Sequence, residues 1–559
     1  MSTKRARDVA ITTVKADNET KAGAATSESS TAESAAATGQ SPARRASAAE
    51  LATRQREISI SEFFTKNRHL LGFDNPQKAL LTTVKEAVDN SLDACEEAGI
   101  LPDILVDIEQ LAEDRFRVII EDNGPGIVKA QVPKIFGKLL YGSKFHAMRQ
   151  SRGQQGIGIS AAGMYGQLTT GKSIIITSRT GPRKEAHHIE LVLDMRKNEP
   201  KILKDTVVTW DQPHGTRVEL ELQGTYRKGA RSVDEYISQT AVANPHARIR
   251  YKAPKSEIQV FERAVEQLPP HPAEIKPHPY GVELGMLIKM MHETKSTHLK
   301  VALQTDFSRV STKVADEICK LAGISPKAAP RALTPAQIEG LHRTISQVKI
   351  MAPPTNCIVP IGEEQILAGL KQQFQAEFFT AITRPPAVYR GNPFQIEVGL
   401  AYGGQLPGDG LINILRFANR VPLLYQQSAC ATFKAIISVE WRNYNVQQSR
   451  GALPSGPIVA FVHIASVWVP FTSESKEAIA SYPEILKEMR LALQEAARRL
   501  SAFIRRGHRL AEEHKKRSYI EKYIPVIGES LQNILTLNDR QRERATAALV
   551  DILERSRKN

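Results

Sequence analysis

Glu86 and Asn90 lie one helical turn apart, so a carboxylate and a carboxamide can act on one point in space. A carboxylate there can polarise a water as general base, and an amide oxygen can fill one position on a hard divalent cation. Both belong to Glu86-Ala87-Val88-Asp89-Asn90-Ser91-Leu92-Asp93-Ala94. Downstream, Asp122-Asn123-Gly124-Pro125-Gly126-Ile127 sets an acid at the mouth of a glycine-rich turn. A second glycine-rich loop, Arg152-Gly153-Gln154-Gln155-Gly156-Ile157-Gly158-Ile159, enters Ser160-Ala161-Ala162-Gly163-Met164, which reads as a helix. Backbone N–H groups at a loop-to-helix junction bind anions. In this order the three segments describe a pocket for a nucleotide, a magnesium ion and a water to be activated.

The elements that must position these groups are legible around them. Asn75-Pro76 is a helix start, with a capping amide and proline at the first helical position. Leu80, Leu81, Val84, Val88, Ser91, Leu92 and Cys95 then recur as one buried stripe. Glu86, Asn90 and Asp93 fall on the face roughly opposite. Arg115-Phe116-Arg117-Val118-Ile119-Ile120 alternates as a strand that ends at Asp122. For the helix alone, an ordinary solvated face explains the polar ladder; for the turn alone, an Asn-Gly hairpin does. Neither explains the anion loop.

A rival motif is present. Gly166-Gln167-Leu168-Thr169-Thr170-Gly171-Lys172-Ser173 fits the P-loop pattern. A P-loop needs a strand before it and a helix after it. Here a helix precedes it and the strand Ser173–Ser178 follows, which places Lys172 at a helix-to-strand turn near the pocket.

These residues resemble the ATPase family of gyrase, the heat-shock chaperone, histidine kinases and mismatch-repair MutL. The resemblance implies an α+β multidomain chain built on an α/β-sandwich, gyrase-like (Bergerat) ATPase domain, with ATP and magnesium as cofactors. It implies that Glu86 is the general base, that Asn90 is the magnesium ligand, and that Asp122 accepts from the adenine amino group. It assigns the phosphate cradle to Gly153, Gln154, Gln155, Gly156, Ile157, Gly158 and Ile159. Thr216, in His214-Gly215-Thr216-Arg217-Val218, matches a strand threonine beside adenine. Asp93, Gly124, Gly126, Ser143, Lys144 and Arg152 complete the implied nucleotide-binding set. Within the family the chain is most similar to the B subunits of topoisomerase VI, the type IIB enzymes. The blocks that carry this run from Ile60 to about Arg499. They include Tyr141-Gly142-Ser143-Lys144-Phe145-His146, Ser151-Arg152-Gly153-Gln154-Gln155-Gly156, Pro360-Ile361-Gly362-Glu363-Glu364 and Val469-Pro470-Phe471-Thr472-Ser473-Glu474-Ser475-Lys476-Glu477. In that branch a lysine at the place of Lys476 reaches the γ-phosphate from another domain, which makes Lys476 a catalytic candidate beside Glu86.

The 559 residues allow about three or four domains. Residues 1–55 are poor in large apolar groups and are expected to be disordered. The resemblance divides the rest into a strap plus ATPase domain (56–275), a helix-two-turn-helix insert (276–355), a transducer domain (356–485), and a long C-terminal helix with a basic tail (486–559). Phe417-Ala418-Asn419-Arg420-Val421-Pro422 resembles a transducer strand. The net charge of +15 suits an anionic polymer partner. Arg505, Arg506 and Arg509 lie in a basic stretch that either lines a DNA channel or is a solvated face. Cys95, Cys319, Cys357 and Cys430 form no close pair, so neither disulfides nor zinc are indicated. No apolar run has membrane length. A cytoplasmic, nucleoid-associated protein is expected.

No Asp-x-Asp occurs, and none of the 13 tyrosines sits in a recognisable cleavage motif. The resemblance therefore implies that a separate, tyrosine-bearing A subunit cleaves double-stranded DNA. Homodimerisation on ATP binding would trap a second duplex. The alternative is a MutL-like or chaperone-like ATP clamp without strand passage. A histidine kinase would need a phosphoacceptor histidine on an upstream helical hairpin, and His69 is too close to Glu86 for that.

Overall fold

The computed structural model describes residues 48–53, 55, 58–144, 147–153 and 156–555. The chain divides into two compact units, Met1–Glu57 and Ile58–Asn559. In the first, Ala48–Ala52 forms the short helix α1. Most of the tail expected to be disordered, and Arg56 of the expected strap, lie outside the described residues.

The second unit opens with α2 (Ile60–Lys66), capped by the Ser59 hydroxyl, which accepts from Glu62 N at 3.1 Å. In α3 (Pro76–Glu97) the Asn75 side chain accepts from Lys78 N at 2.8 Å and Pro76 takes the first position, as the sequence predicts. Leu80, Val84, Val88, Leu92 and Cys95 of the predicted stripe are buried. There follow β1 (Asp103–Ala112), β2 (Arg115–Asp122), α4 (Val132–Gly137), α5 (Gly158–Thr170), β3 (Ile174–Arg179), β4 (Ala186–Asp194), β5 (Glu199–Val208), β6 (Gly215–Gln223), α6 (Val233–Ala243), β7 (Arg248–Lys252) and β8 (Ile258–Phe261). The eight strands form one sheet in the order β5-β4-β3-β6-β2-β1-β7-β8, with only β1 and β7 parallel. Alternation decides which face is covered. Ile104, Val106, Phe116, Val118, Ile120, Leu220 and Leu222 point into a core shared with α3, α5 and α6. Arg117, Glu219 and Glu221 point the other way, and Arg117 pairs with Glu221 at 3.0 Å. The result is two layers, helices over one face of a sheet.

Four helices come next: α7 (Leu284–Glu293), α8 (Leu299–Asp306), α9 (Thr312–Ala322) and α10 (Pro335–Ile345). They have their own core around Leu287, Met291, Leu303, Ile318 and Leu341. Thr334 and Gln337 close a capping box at α10.

The chain then builds α11 (Glu363–Gln373), β9 (Phe378–Thr383), β10 (Ala387–Tyr389), β11 (Asn392–Tyr402), β12 (Asn413–Ala418), β13 (Val421–Pro422), α12 (Ala431–Ile437), a small ribbon of β14 (Gln447–Gln448) and β15 (Pro454–Ser455), and β16 (Ile458–Ser466). The second sheet runs β10-β11-β16-β12-β13, with β9 also on β11. β16 is buried along its whole length, because helices cover both faces. Helix α13 (Pro483–Leu535) follows, anchored on the sheet by Ile485, Met489, Leu493, Leu500 and Ile504. Beyond Ile504 its side chains are mostly exposed. The tail is not one helix: the chain turns at Thr536 and α14 (Asp539–Arg555) returns along α13, so close that a Cβ on Gly528 would stand 2.5 Å from Thr546 Oγ1. No described helix is long and apolar enough to cross a membrane.

Candidate active site

A cavity of about 650 Å³ lies over the first sheet, between α3, the start of α5 and the ends of β2 and β6. One end is set by β2 and β6, which pair Asp122 with Thr216. Asp122 Oδ1 accepts from Gly124 N at 2.9 Å and Thr216 N at 3.2 Å, and Oδ2 accepts from Ser91 Oγ at 2.9 Å. Burial pushes this carboxyl up to about 6, against the pull of those three donors. Gly126 has φ +71°, and a Cβ there would stand 2.0 Å from Arg179 O, so only glycine lets the turn close on β3.

At the other end α5 begins at Gly158 without any side-chain cap, leaving its first N–H groups for a ligand. A Cβ on Gly158 would stand 1.8 Å from Glu86 Oε2, so the missing side chain is what admits the carboxylate beside the helix start. Asn90 is exposed to the cavity, and its amide has no hydrogen-bond partner among the described residues. Lys476 enters from the loop between the second sheet and α13, with φ +53°. Burial pushes its ammonium down while the Glu86 carboxylate pulls it up.

A carboxylate, an open amide oxygen, a bare helix start and a lysine thus converge at one end of a slot whose other end is a buried acid. That arrangement fits a nucleoside triphosphate. The described residues hold no cluster of three or more His, Cys, Asp or Glu suited to a metal. An ion there would take its ligands from Asn90 and phosphate oxygens, which suits magnesium.

Residues 75–223 match the family described as histidine kinase-, DNA gyrase B-, and HSP90-like ATPase. Residues 353–516 match the family described as topoisomerase VI B subunit, transducer. Over 470 residues the chain is 52% identical to the B subunit of type 2 DNA topoisomerase 6 from Methanococcoides burtonii, covering 84% of this chain and 76% of that protein. It is 47% identical over 488 residues to the corresponding protein of Archaeoglobus fulgidus, covering 87% and 81%. With that of Pyrococcus abyssi it shares 41% over 522 residues, covering 84% and 90%. The chain belongs to the B-subunit family of type 2 DNA topoisomerase 6. It is an ATP-hydrolysing subunit of a type IIB topoisomerase, and the clamp without strand passage is not favoured.

Within this topoisomerase subunit, Glu86, Asn90, Asp93, Asp122, Gly126, Ser143, Lys144, Gly153, Gly156, Ile157, Gly158, Ile159, Thr216 and Lys476 all line the cavity. Gly124 stands behind it, donating to Asp122. Gln154 and Gln155 lie outside the described residues. Arg152 is buried away from the main cavity: it binds Asp93 Oδ1 at 2.7 Å and grips Glu96 with two bonds of 2.7 and 2.8 Å. Lys144 holds the other Asp93 oxygen at 2.6 Å. Lys172 does sit at a helix-to-strand turn, but not near the pocket. The cavity is at the start of α5 and Lys172 is exposed past its end, roughly 20 Å along the helix rise.

Lys78, Thr82 and Tyr425 also line the cavity, and the motifs alone do not name them. The ladder from Asn90 to Glu86, carried back by four residues twice, arrives at Thr82 and Lys78, which is a signal that could have found them. No local signal marks Tyr425. The segment expected to be a transducer strand is a hairpin: β12 ends at Ala418, β13 starts at Val421, and Asn419 and Arg420 make the turn at φ +48° and +68°. Asparagine favours that conformation and arginine does not, so only half the turn is written in the residue types.

Proposed function

We propose that this chain hydrolyses ATP in the cavity over the first sheet, with Glu86 as general base, Lys476 as the cation on the γ-phosphate and Asp122 as the adenine acceptor. The observation that carries the reading is the approach of Glu86, from α3, and Lys476, from beyond the second sheet, to the same end of one cavity. Glu86 takes the proton of the attacking water. The free N–H groups at the start of α5 hold phosphate oxygens, and Lys476 offsets charge that spreads in the transition state. Magnesium, when bound, would screen the phosphate charge, with Asn90 among its ligands. Asp93, Ser143, Lys144, Gly153 and the segment from Gly156 to Ile159 line the walls.

The domain division at 56–275, 276–355, 356–485 and 486–559 belongs to this reading. So does dimerisation of two copies on ATP binding, capture of double-stranded DNA, and cleavage by a tyrosine-bearing A subunit. Such a partnership would place the protein on the cytoplasmic nucleoid. The two matched families, on either side of the helices α7–α10, support that arrangement. Glu86→Ala tests the centre of the proposal. Turnover should fall by about 10²–10⁴-fold with ATP binding retained, since the base acts on water. Asn90→Ala should instead weaken magnesium-dependent nucleotide binding. If Glu86→Ala kept more than about a tenth of the rate, the base assignment would be wrong.

A further inference from the structure

The hairpin tip at Asn419–Arg420 reaches out of the second sheet into the region beside the cavity. Asn419 Nδ2 donates to Ser151 O at 3.0 Å and to Ser466 O at 2.9 Å, and its Oδ1 accepts from Ser466 N at 2.9 Å. One carboxamide therefore joins the chain just ahead of Arg152 to the end of β16. Arg420 is buried with no carboxylate in contact among the described residues: its guanidinium donates to Pro360 O at 3.1 Å and Ala243 O at 3.4 Å. Its backbone N donates to His463 Nε2 at 3.0 Å, and His463 Nδ1 donates to Glu397 at 2.8 Å. Asn244 links the two arginines, accepting from Arg152 at 2.6 Å and donating to Arg420 O at 3.5 Å.

The line from the tip continues to the chemistry. Arg152 holds Asp93 and Glu96, on the same helix as Glu86 and Asn90. Asn419, Glu86, Asn90 and Lys476 share the wall of a small void of about 30 Å³. Lys476 and the tip both follow from the second sheet, one from the end of β16 and one from β12. The second sheet thus reaches α3 by two routes, through the Lys476 loop and through the tip by way of Ser151 and Arg152, and neither residue of the tip lines the nucleotide cavity.

A left-handed arginine, buried with no counter-ion in direct contact among the described residues, is a strained arrangement that persists where surrounding structure over-determines it and that clusters at functional sites. We infer that the Asn419–Arg420 tip is a positioning element that fixes the distance between Glu86 on α3 and Lys476 in the loop beyond the second sheet by holding Ser151 and Arg152 in place. The inference rests on the proposed roles of Glu86 and Lys476 and adds a second mechanical link between the two sheets.

The test uses full-length Asn419→Gly, which tolerates the positive φ but lacks the carboxamide, and Asn419→Asp, which keeps the acceptor for Ser466 N but loses both donations. Steady-state ATPase kinetics, ADP affinity by calorimetry and thermal melting are measured on both. Turnover should fall roughly 10- to 100-fold, the scale of an ångström-level misplacement of reacting groups. KM and ADP affinity should stay within about twofold, because the tip meets neither base nor ribose. Asn244→Ala should lower turnover in the same way, and combining it with Asn419→Gly should add less than the product of the two effects, since both act through one hairpin. An unchanged rate, or a loss of ADP affinity as large as the loss of rate, would overturn the inference; the second pattern marks a purely structural role. Should Asn419→Gly fail to fold, Asn419→Asp decides by the same readouts. Failure of the wild-type chain to bind ADP, or binding insensitive to Asp122→Asn, would instead sink the site reading on which this rests.

Discussion

Lys78, in the first turn of α3, meets Glu477, next in the chain to Lys476, with 2.5 Å between Nζ and Oε1. Glu477 is buried and its other oxygen accepts from Gln426 at 2.7 Å. Lys78 also pairs with Asp74 at 2.8 Å and lies 5.4 Å from the centre of the Tyr425 ring. The loop that delivers Lys476 is thus fastened, one residue further on, to the helix that carries Glu86. Removing one partner of a buried ion pair strands the other, at a cost of about 3–5 kcal/mol. Lys78→Met, which strands the buried Glu477 carboxylate, should destabilise the chain on that scale and lower turnover, whereas Glu477→Gln leaves Lys78 its Asp74 partner and should cost less. Lys78→Met with Glu477→Leu should recover most of the stability but not the rate. Denaturation and kinetics on the wild type, Lys78→Met, Glu477→Leu and the double variant close the cycle that checks this.

Lys476 and Lys172 belong to rival pockets and give opposite outcomes. Lys476→Ala should spare ADP binding, which has no γ-phosphate to lose, and lower turnover. It should also blunt the difference between the ATP- and ADP-bound conformations, because a ligand shifts an equilibrium only by its differential contacts. Lys172→Ala should be indistinguishable from wild type, being exposed beyond the end of α5. ATPase rates, ADP calorimetry and solution scattering decide. An inactive Lys172 variant beside a normal Lys476 variant would restore the P-loop.

The carboxyl of Asp122 gives the site a pH dependence. Burial raises it to about 6, so the nucleotide-free protein carries a proton there below that pH. In the proposed site the adenine amino group would donate to the carboxylate, and ADP affinity should therefore fall as pH drops from about 7.5 to 5. Stability runs the other way. A carboxyl whose folded value is raised favours the folded state below its unfolded value near 4, and that contribution is lost as pH rises through about 6. Asp89, buried against Tyr236 OH at 3.0 Å and raised to about 7, adds to the same trend. Asp89→Asn should flatten the decline in Tm between pH 5 and 8, and Asp122→Asn should remove the pH dependence of ADP affinity.

Arg505, Arg506 and Arg509 are exposed on the part of α13 that leaves the second sheet. If they meet a duplex, reversing all three to Glu should weaken binding and reduce the salt slope by roughly 0.9 for each phosphate no longer neutralised. Filter binding across a salt series measures it. An unchanged slope would leave them as a solvated face.

What the sequence disclosed was local. Helix α3, its cap, its buried stripe and its acid-amide face follow from residues within a few turns, and the strand ending at Asp122 follows from simple alternation. The misplacement of Lys172 has the same origin, since a motif fixes neighbours in the chain and not the end of a helix on which a cavity opens. The interactions that complete the site are non-local. Asn419 meets Ser151 across 268 residues, and no periodicity encodes that. Arg152 sits inside a motif that marks phosphate sites, yet Asp93 and Glu96 hold its charge; burial and partners decide a side chain's direction, and pattern alone does not.

Helix α13 spans 53 residues, about 80 Å of rise with Pro525 inside its last third, and only its first turns are set into the second sheet. The part beyond Ile504 is then a rod of roughly 45 Å that follows whatever the sheet does. Each degree of sheet rotation would sweep its far end through about 0.8 Å, so a rotation of a few degrees becomes, at Leu535, a displacement of several ångströms. With α14 laid back along it, the free end is doubled and stiffened. Geometry alone makes this helix a long lever, and shortening it by whole turns would reduce the sweep in proportion without touching the chemistry.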